Sequence, residues 1–123
     1  MAKILVVDDD IDFREMLCFS LRKDGFDVSE ASDGNQAIKL VGSESVDLVI
    51  TDLIMPNKEG VELIMELRRT MPGIKIIAMS GGGRVSPESY LAVANALGAD
   101  RTIAKPVFRD DLIKVISQLL GDE

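Results

Sequence analysis

The sequence has no histidine, no tryptophan, a single cysteine and a shortage of positive charge. Without histidine, Ser-His and Cys-His nucleophilic mechanisms are excluded, and so is any zinc site built on imidazole. Cys18 alone cannot close an internal disulfide or form a Cys-x-x-Cys site, which suits a reducing compartment. Lys and Arg number 14 against 21 Asp and Glu, a net charge of −7. That balance argues against nucleic acid or an anionic membrane as partner, since both need a positive footprint. Long apolar runs are missing too. Nothing approaches the roughly 20 residues that span a bilayer. Ile4-Leu5-Val6-Val7 is too short for a signal-peptide core and runs straight into Asp8-Asp9-Asp10. A cytoplasmic location is the expectation.

What is present is a globular profile. The chain has 123 residues, 46% of them apolar and 28% charged, enough for one domain with a core that needs no disulfide or structural metal. The expected organisation is a single domain over residues 1–123.

Short apolar runs alternate with helical patterns. Ile4–Val7, Val46–Ile50 and Ile74–Met79 are continuous and rich in β-branched residues, as strands buried on both faces are. Phe26–Ser29 reads as an edge strand and Arg101–Ala104 as a fifth strand. Phe13, Met16, Leu17 and Leu21 form one helical stripe, closed by Gly25. A second helix carries Ala37, Ile38 and Val41, and a third carries Val61, Ile64, Met65 and Arg68. Ser86-Pro87-Glu88 opens a fourth, which Gly98 closes, and Leu112, Val115, Ile116, Leu119 and Leu120 mark the last. Five strand–helix units in alternation imply an α/β fold: a doubly wound, five-stranded parallel sheet with helices on both faces. Sites in such sheets lie beyond the carboxyl ends of the strands.

Those ends carry the chemistry. The first strand delivers Asp8-Asp9-Asp10, the third Thr51-Asp52, the fourth Ser80, then Gly81-Gly82-Gly83, and the fifth Ala104-Lys105-Pro106. Two carboxylates about 4 Å apart repel by roughly 4 kcal/mol at an effective dielectric near 20, so a cluster of them calls for a counter-charge. Mg2+, which prefers hard oxygen ligands and keeps exchangeable waters, is the fitting one. Lys105 suits a phosphoryl oxygen, Ser80 adds a hydroxyl donor, and Asp52 can accept a phosphoryl group as carboxylates do in aspartyl-phosphate chemistry. Singly, each has an ordinary explanation: Asp10 or Asp12 as a helix cap, Asp52 and Ser80 as turn residues, Lys105 as a solvated surface lysine. Their convergence on four strand ends favours the site.

The set resembles the response-regulator receiver domain, the chemotaxis-regulator-like module of two-component signalling. The motifs that carry the resemblance are Ile4–Asp10, Val49–Pro56, Ala78-Met79-Ser80-Gly81 and Ala104-Lys105-Pro106, in family order and across essentially the whole chain. The resemblance implies a flavodoxin-like strand order 2-1-3-4-5. It makes Asp52 the phosphoacceptor. Asp8, Asp9, Asp52 and the Ile54 backbone carbonyl become the Mg2+ ligands, with Asp8 acting largely through water. Ser80 becomes the switch hydroxyl, Lys105 the phosphate-pairing lysine with a cis bond to Pro106, and Gly60 the glycine of the loop after the phosphoacceptor. It implies a histidine kinase or phosphotransfer protein as donor, a downstream protein target, and slow hydrolysis of the chain's own acyl phosphate.

Three positions depart from the family pattern. Thr102 stands where a switch Tyr or Phe is common, Val107 where Phe is usual, and the Gly81–Pro87 stretch looks long. Thr102 is too small to fill or vacate an aromatic pocket, which shifts the expected readout to Gly81-Gly82-Gly83 and the loop they begin.

Other classes fit less well. A dinucleotide site needs a Gly-rich turn where three aspartates stand, and an EF-hand loop needs Gly and Glu where Phe13 and Phe19 stand. A small phosphohydrolase using Asp10-Ile11-Asp12 would lack a cap domain and would carry Asp12 on a helix. An interaction module independent of phosphorylation predicts loss of Asp9, Asp52, Ser80 or Lys105, and all four are present.

Overall fold

A computed structural model describes residues 2–53, 60–80, 92 and 94–121. Among these, five strands form one parallel sheet: β1 (Lys3–Val7), β2 (Asp27–Ala31), β3 (Leu48–Asp52), β4 (Lys75–Ser80) and β5 (Arg101–Ala104). Their order is β2-β1-β3-β4-β5, so the chain reverses direction across the sheet beside β1, and the crevice opens there. The helices are α1 (Ile11–Lys23), α2 (Gly34–Ser43), α3 (Gly60–Thr70), a helical stretch at 92 and 94–97 (α4), and α5 (Arg109–Leu120).

The continuous apolar strands feed two cores by simple alternation. Ile4 and Val6 of β1 pack with Leu17, Cys18 and Leu21 of α1 and with Leu112 and Ile116 of α5. Leu5 and Val7 point the other way, into a cluster with Ala37 and Val41 of α2, Leu63, Ile64 and Leu67 of α3, and Ala94 of α4. Both faces of the central strands are therefore buried, which is why β1 and β3 show no polar alternation.

The third strand is displaced from its expected span. Val46 and Asp47 precede it, and pairing continues through Thr51 and Asp52, which face Ala78 and Met79 of β4. Hydropathy ends at Ile50, but the backbone ladder does not, and the extension carries Asp52 to the sheet edge in extended backbone. β2 likewise begins at Asp27 rather than Phe26 and runs to Ala31, and β4 runs Lys75–Ser80 rather than from Ile74. Gly25 takes φ +95 just after α1, the left-handed stop expected of it, and Gly98 takes φ +113 after α4. The expected start of the fourth helix at Ser86-Pro87-Glu88 lies outside the described residues. None of the described helices is long and apolar enough to cross a membrane.

Candidate functional site

The site assembles from the ends of four strands. Asp8 follows β1 and is fully buried. Its Oδ1 accepts from the Asp10 backbone N–H at 3.0 Å and its Oδ2 from Lys105 Nζ at 2.9 Å. Asp52 closes β3 with its side chain 13% exposed, and its Oδ2 accepts from the same Nζ at 2.9 Å. Lys105 follows β5 and is tied to β4 by its own N–H, which donates to the Ser80 carbonyl at 2.8 Å. The peptide bond from Lys105 to Pro106 is cis. Asp9 is exposed beside them, and single carboxylate oxygens of Asp8, Asp9 and Asp52 all lie within 4.8 Å of one another.

One ammonium thus faces three carboxylates. Burial, the largest influence on Asp8, pushes its carboxyl above the ordinary value, and the charge of Asp52 adds to this; the bonds from Asp10 and Lys105 pull the other way without prevailing. For Lys105 burial is again the largest single influence and favours the neutral amine, yet the combined bonds and charges of Asp52 and Asp8 outweigh it, so its pKa is raised. The two partners respond differently because Asp8 is wholly buried while the Lys105 side chain keeps 20% exposure.

Ser80 completes the set. Its hydroxyl is buried, the residue is 1% exposed, and among the described residues Oγ has no hydrogen-bond partner. A buried hydroxyl without a partner costs free energy, on the order of 1–3 kcal/mol, and an oxyanion placed beside it would recover that cost. Three clustered hard oxygens, too little positive charge and an orphaned hydroxyl form a donor set that fits a small divalent cation together with a phosphoryl group.

Expected residues fall on both sides of this geometry. Asp10 is not a ligand: its Oδ1 accepts from the Phe13 N–H at 3.2 Å and caps α1. Asp12 is exposed in the first turn of that helix, so the Asp10-Ile11-Asp12 pattern presents no paired carboxylates to the site. Gly60 is the first residue of α3 rather than a loop residue, and a Cβ there would lie 2.0 Å from the Asp52 carbonyl oxygen. Only glycine permits that approach of α3 to the strand end. Thr102 sits within β5 opposite Ala78, half-buried. Ile54, Gly81, Gly82 and Gly83 lie outside the described residues.

Two neighbours were not singled out from sequence. Arg14 donates through NH1 to the Asp8 carbonyl at 2.8 Å and through Nε to Glu30 at 3.0 Å, bracing the acidic turn against β2. The Phe13 ring, read as a core position, lies under Lys105 Nζ at 4.3 Å from its centroid. Helical spacing gave no signal for either: Phe13 falls on the apolar stripe and reads as core, and Arg14 reads as a surface cation.

Comparison with known proteins places this geometry. The family model described as the response regulator receiver domain matches residues 4–117. A response regulator receiver domain protein from Clostridium thermocellum is 30% identical, with TM-score 0.91 over 98% of this chain and 95% of that one. The response regulator protein TrrA from Thermotoga maritima, solved in complex with Mg(2+)-BeF, is 31% identical, with TM-score 0.85 over 97% of this chain and 99% of that one. The receiver domain of NtrX from Brucella abortus is 28% identical, with TM-score 0.89 over 98% of this chain and 99% of that one. With the family pattern spanning residues 4–117 and the strand order and strand-end chemistry in agreement, the chain belongs to the response regulator receiver domain family.

Proposed function

We propose that residues 1–123 act as one phosphorylatable switch in which Asp52 accepts a phosphoryl group from the phosphohistidine of a histidine kinase or phosphotransfer protein. The observation that carries this reading is Lys105 Nζ held at 2.9 Å from both Asp8 and Asp52, with Ser80, whose hydroxyl has no partner among the described residues, at the neighbouring end of β4. The family is a signalling one rather than one of metabolic enzymes, and the chemistry the site must perform is brief.

In the transfer, an Asp52 carboxylate oxygen forms a bond to phosphorus as the phosphorus–nitrogen bond of the donor breaks, and the imidazole nitrogen keeps the electron pair. Such a loose transition state needs positioning and charge neutralisation more than covalent help. Asp52 loses its charge as a carboxylate, and Lys105 turns from it to a phosphoryl oxygen while still paired with Asp8. The Ser80 hydroxyl donates to a second phosphoryl oxygen. Asp8, Asp9 and Asp52, together with the Ile54 carbonyl, would hold Mg2+, which supplies charge neutralisation at the phosphoryl oxygens. TrrA, which shares the fold, was solved with that ion and a beryllofluoride group. Slow hydrolysis of the acyl phosphate resets the switch, and the changed site alters the surface offered to a downstream protein.

Incubation with acetyl phosphate and Mg2+, followed by intact-mass measurement, tests the reading. Wild type gains one phosphoryl mass, Asp52→Asn gains none, and Asp10→Asn keeps most of the labelling. Equal labelling of wild type and Asp52→Asn would remove Asp52 from the role.

A further inference from the structure

Lys105 ends β5 on a long, flexible side chain, yet its ammonium must meet charge at one point. Two of its contacts are carboxylates, Asp8 Oδ2 and Asp52 Oδ2, each at 2.9 Å. The third is not polar. Nζ stands over the Phe13 ring, 4.3 Å from the centroid. Phe13 is itself fixed twice, by its N–H donating to the Asp10 cap and by packing of the half-buried ring against the cluster that contains Leu17 and Leu21.

We infer that Phe13 is a positioning residue of the phosphorylation site, its ring face holding the Lys105 ammonium over the carboxylates. An ammonium is strongly hydrated, and burying it on the side away from its acceptors would strip water without replacement. The negative face of an aromatic ring replaces that water with an attraction that needs no hydrogen-bond acceptor. It also narrows the rotamers open to a four-carbon stem, so less freedom is lost when the transition state forms. The role rests on the reading of Asp52 as phosphoacceptor. Once Asp52 carries a phosphoryl group, Lys105 must follow the charge outward, and a contact indifferent to the charge of Asp52 keeps it in the site in both states. An aliphatic side chain of similar bulk at position 13 fills the core equally but offers no such face.

The experiment reads the contact and its effect separately. In the free protein, NMR of the Lys105 ε-methylene protons should show an upfield ring-current shift that is retained in Phe13→Tyr and lost in Phe13→Leu and Phe13→Met. With acetyl phosphate and Mg2+ at saturation, Phe13→Leu and Phe13→Met should phosphorylate about twofold to fivefold more slowly, by a maximal rate rather than by donor half-saturation, and Phe13→Tyr should restore the rate. A wild-type spectrum without the shift overturns the inference, as does an unchanged rate in both aliphatic variants or a Phe13→Tyr protein as slow as they are. Labelling of Asp52→Asn at the wild-type rate would overturn the reading of Asp52 instead, and the ring-current shift would stand apart from that failure.

Discussion

The two ends of the sheet each carry a half-buried cation, and they are wired in opposite ways. At the incoming end of β4 and β5, Arg68 of α3 donates through Nε to the Gly98 carbonyl at 2.7 Å, through NH1 to the carbonyls of Ile74 at 2.6 Å and Pro72 at 3.2 Å, and through NH2 to Asp100 Oδ2 at 2.6 Å. Asp100 Oδ2 also accepts from the Ile76 N–H at 2.8 Å. One guanidinium meets one carboxylate, and the remaining donors meet neutral carbonyls. At the outgoing end, Lys105 meets Asp8 and Asp52 with Asp9 nearby, and the Ser80 hydroxyl has no hydrogen-bond partner among the described residues. Charge at the first end is balanced and its bonds are made, so it fixes the register of two strands and has little left to offer a ligand. The second end keeps excess negative charge and an unmade bond, which is the condition of a group arranged for something that arrives.

The largest effect should come from breaking the balanced end. Arg68→Met strands Asp100 and three carbonyls, and the expected loss is about 3 kcal/mol of stability, as for a partly buried network deprived of its cation. Urea unfolding measures it. Labelling of Asp52 by acetyl phosphate should proceed at the wild-type rate in the folded fraction. A labelling rate that falls with stability would mean that the two ends do not act separately.

Next comes a gain at the unbalanced end. Free Mg2+ at ten times its dissociation constant should stabilise the wild type by about 1.4 kcal/mol through mass action. Arg68→Met should keep that increment, whereas Asp9→Asn should lose most of it, having lost a ligand and a repelling charge together. An undiminished increment in Asp9→Asn would place the ion elsewhere.

A smaller loss separates Asp10 from its neighbours. As the cap of α1, its replacement by Ala should cost about 1 kcal/mol, and replacement by Asn, which also caps, much less. Both variants should keep most of their Asp52 labelling. Loss of labelling in the well-capped Asn variant would bring Asp10 into the ligand set.

The outgoing end was legible in sequence largely because its residues sit where hydropathy stops. Asp8 and Ser80 each follow an apolar run directly, Lys105 follows the weaker run Arg101–Ala104, and parallel topology brings all such ends to one edge. The end of the third strand at Thr51-Asp52 was legible, though both residues are polar and what makes them strand is the ladder to Ala78 and Met79; its start at Leu48 rather than Val46 was not. The roles of Phe13 and Arg14 were hidden for another reason. A residue on an apolar helical stripe looks like core, and only the crossing of α1 over the end of β1 brings its ring to an ammonium 92 positions further along. The Arg68 hub was equally silent, since three of its four partners are backbone carbonyls, which any residue could supply.

The smallest signal is a difference of differences, and it probes the strain on Asp8 itself. Burial raises the folded pKa of this carboxyl above its ordinary value of 3.8. The folded state therefore holds the proton more tightly than the unfolded chain does, and stability falls as pH climbs from the unfolded value through the folded one, then levels off. Lys105 has linkage of the same sign in a far more alkaline window: its raised pKa contributes stability that is fully present below 10.5 and is lost only as pH rises through the folded value. Asp8→Asn removes the first titration and leaves the second. Measured by urea unfolding in a chelator, the stability of Asp8→Asn relative to wild type should move in the variant's favour as pH rises from about 4 toward neutrality. Above the folded pKa of Asp8 the difference should stay level until the alkaline limb. The sign of the slope decides the matter, because loss of the Lys105 bond offsets both ends of the curve alike. A difference that is flat over this range, or that moves against the variant, would mean that the buried carboxylate is as well satisfied as Asp100 at the other end, and the contrast between the two ends would no longer extend to Asp8.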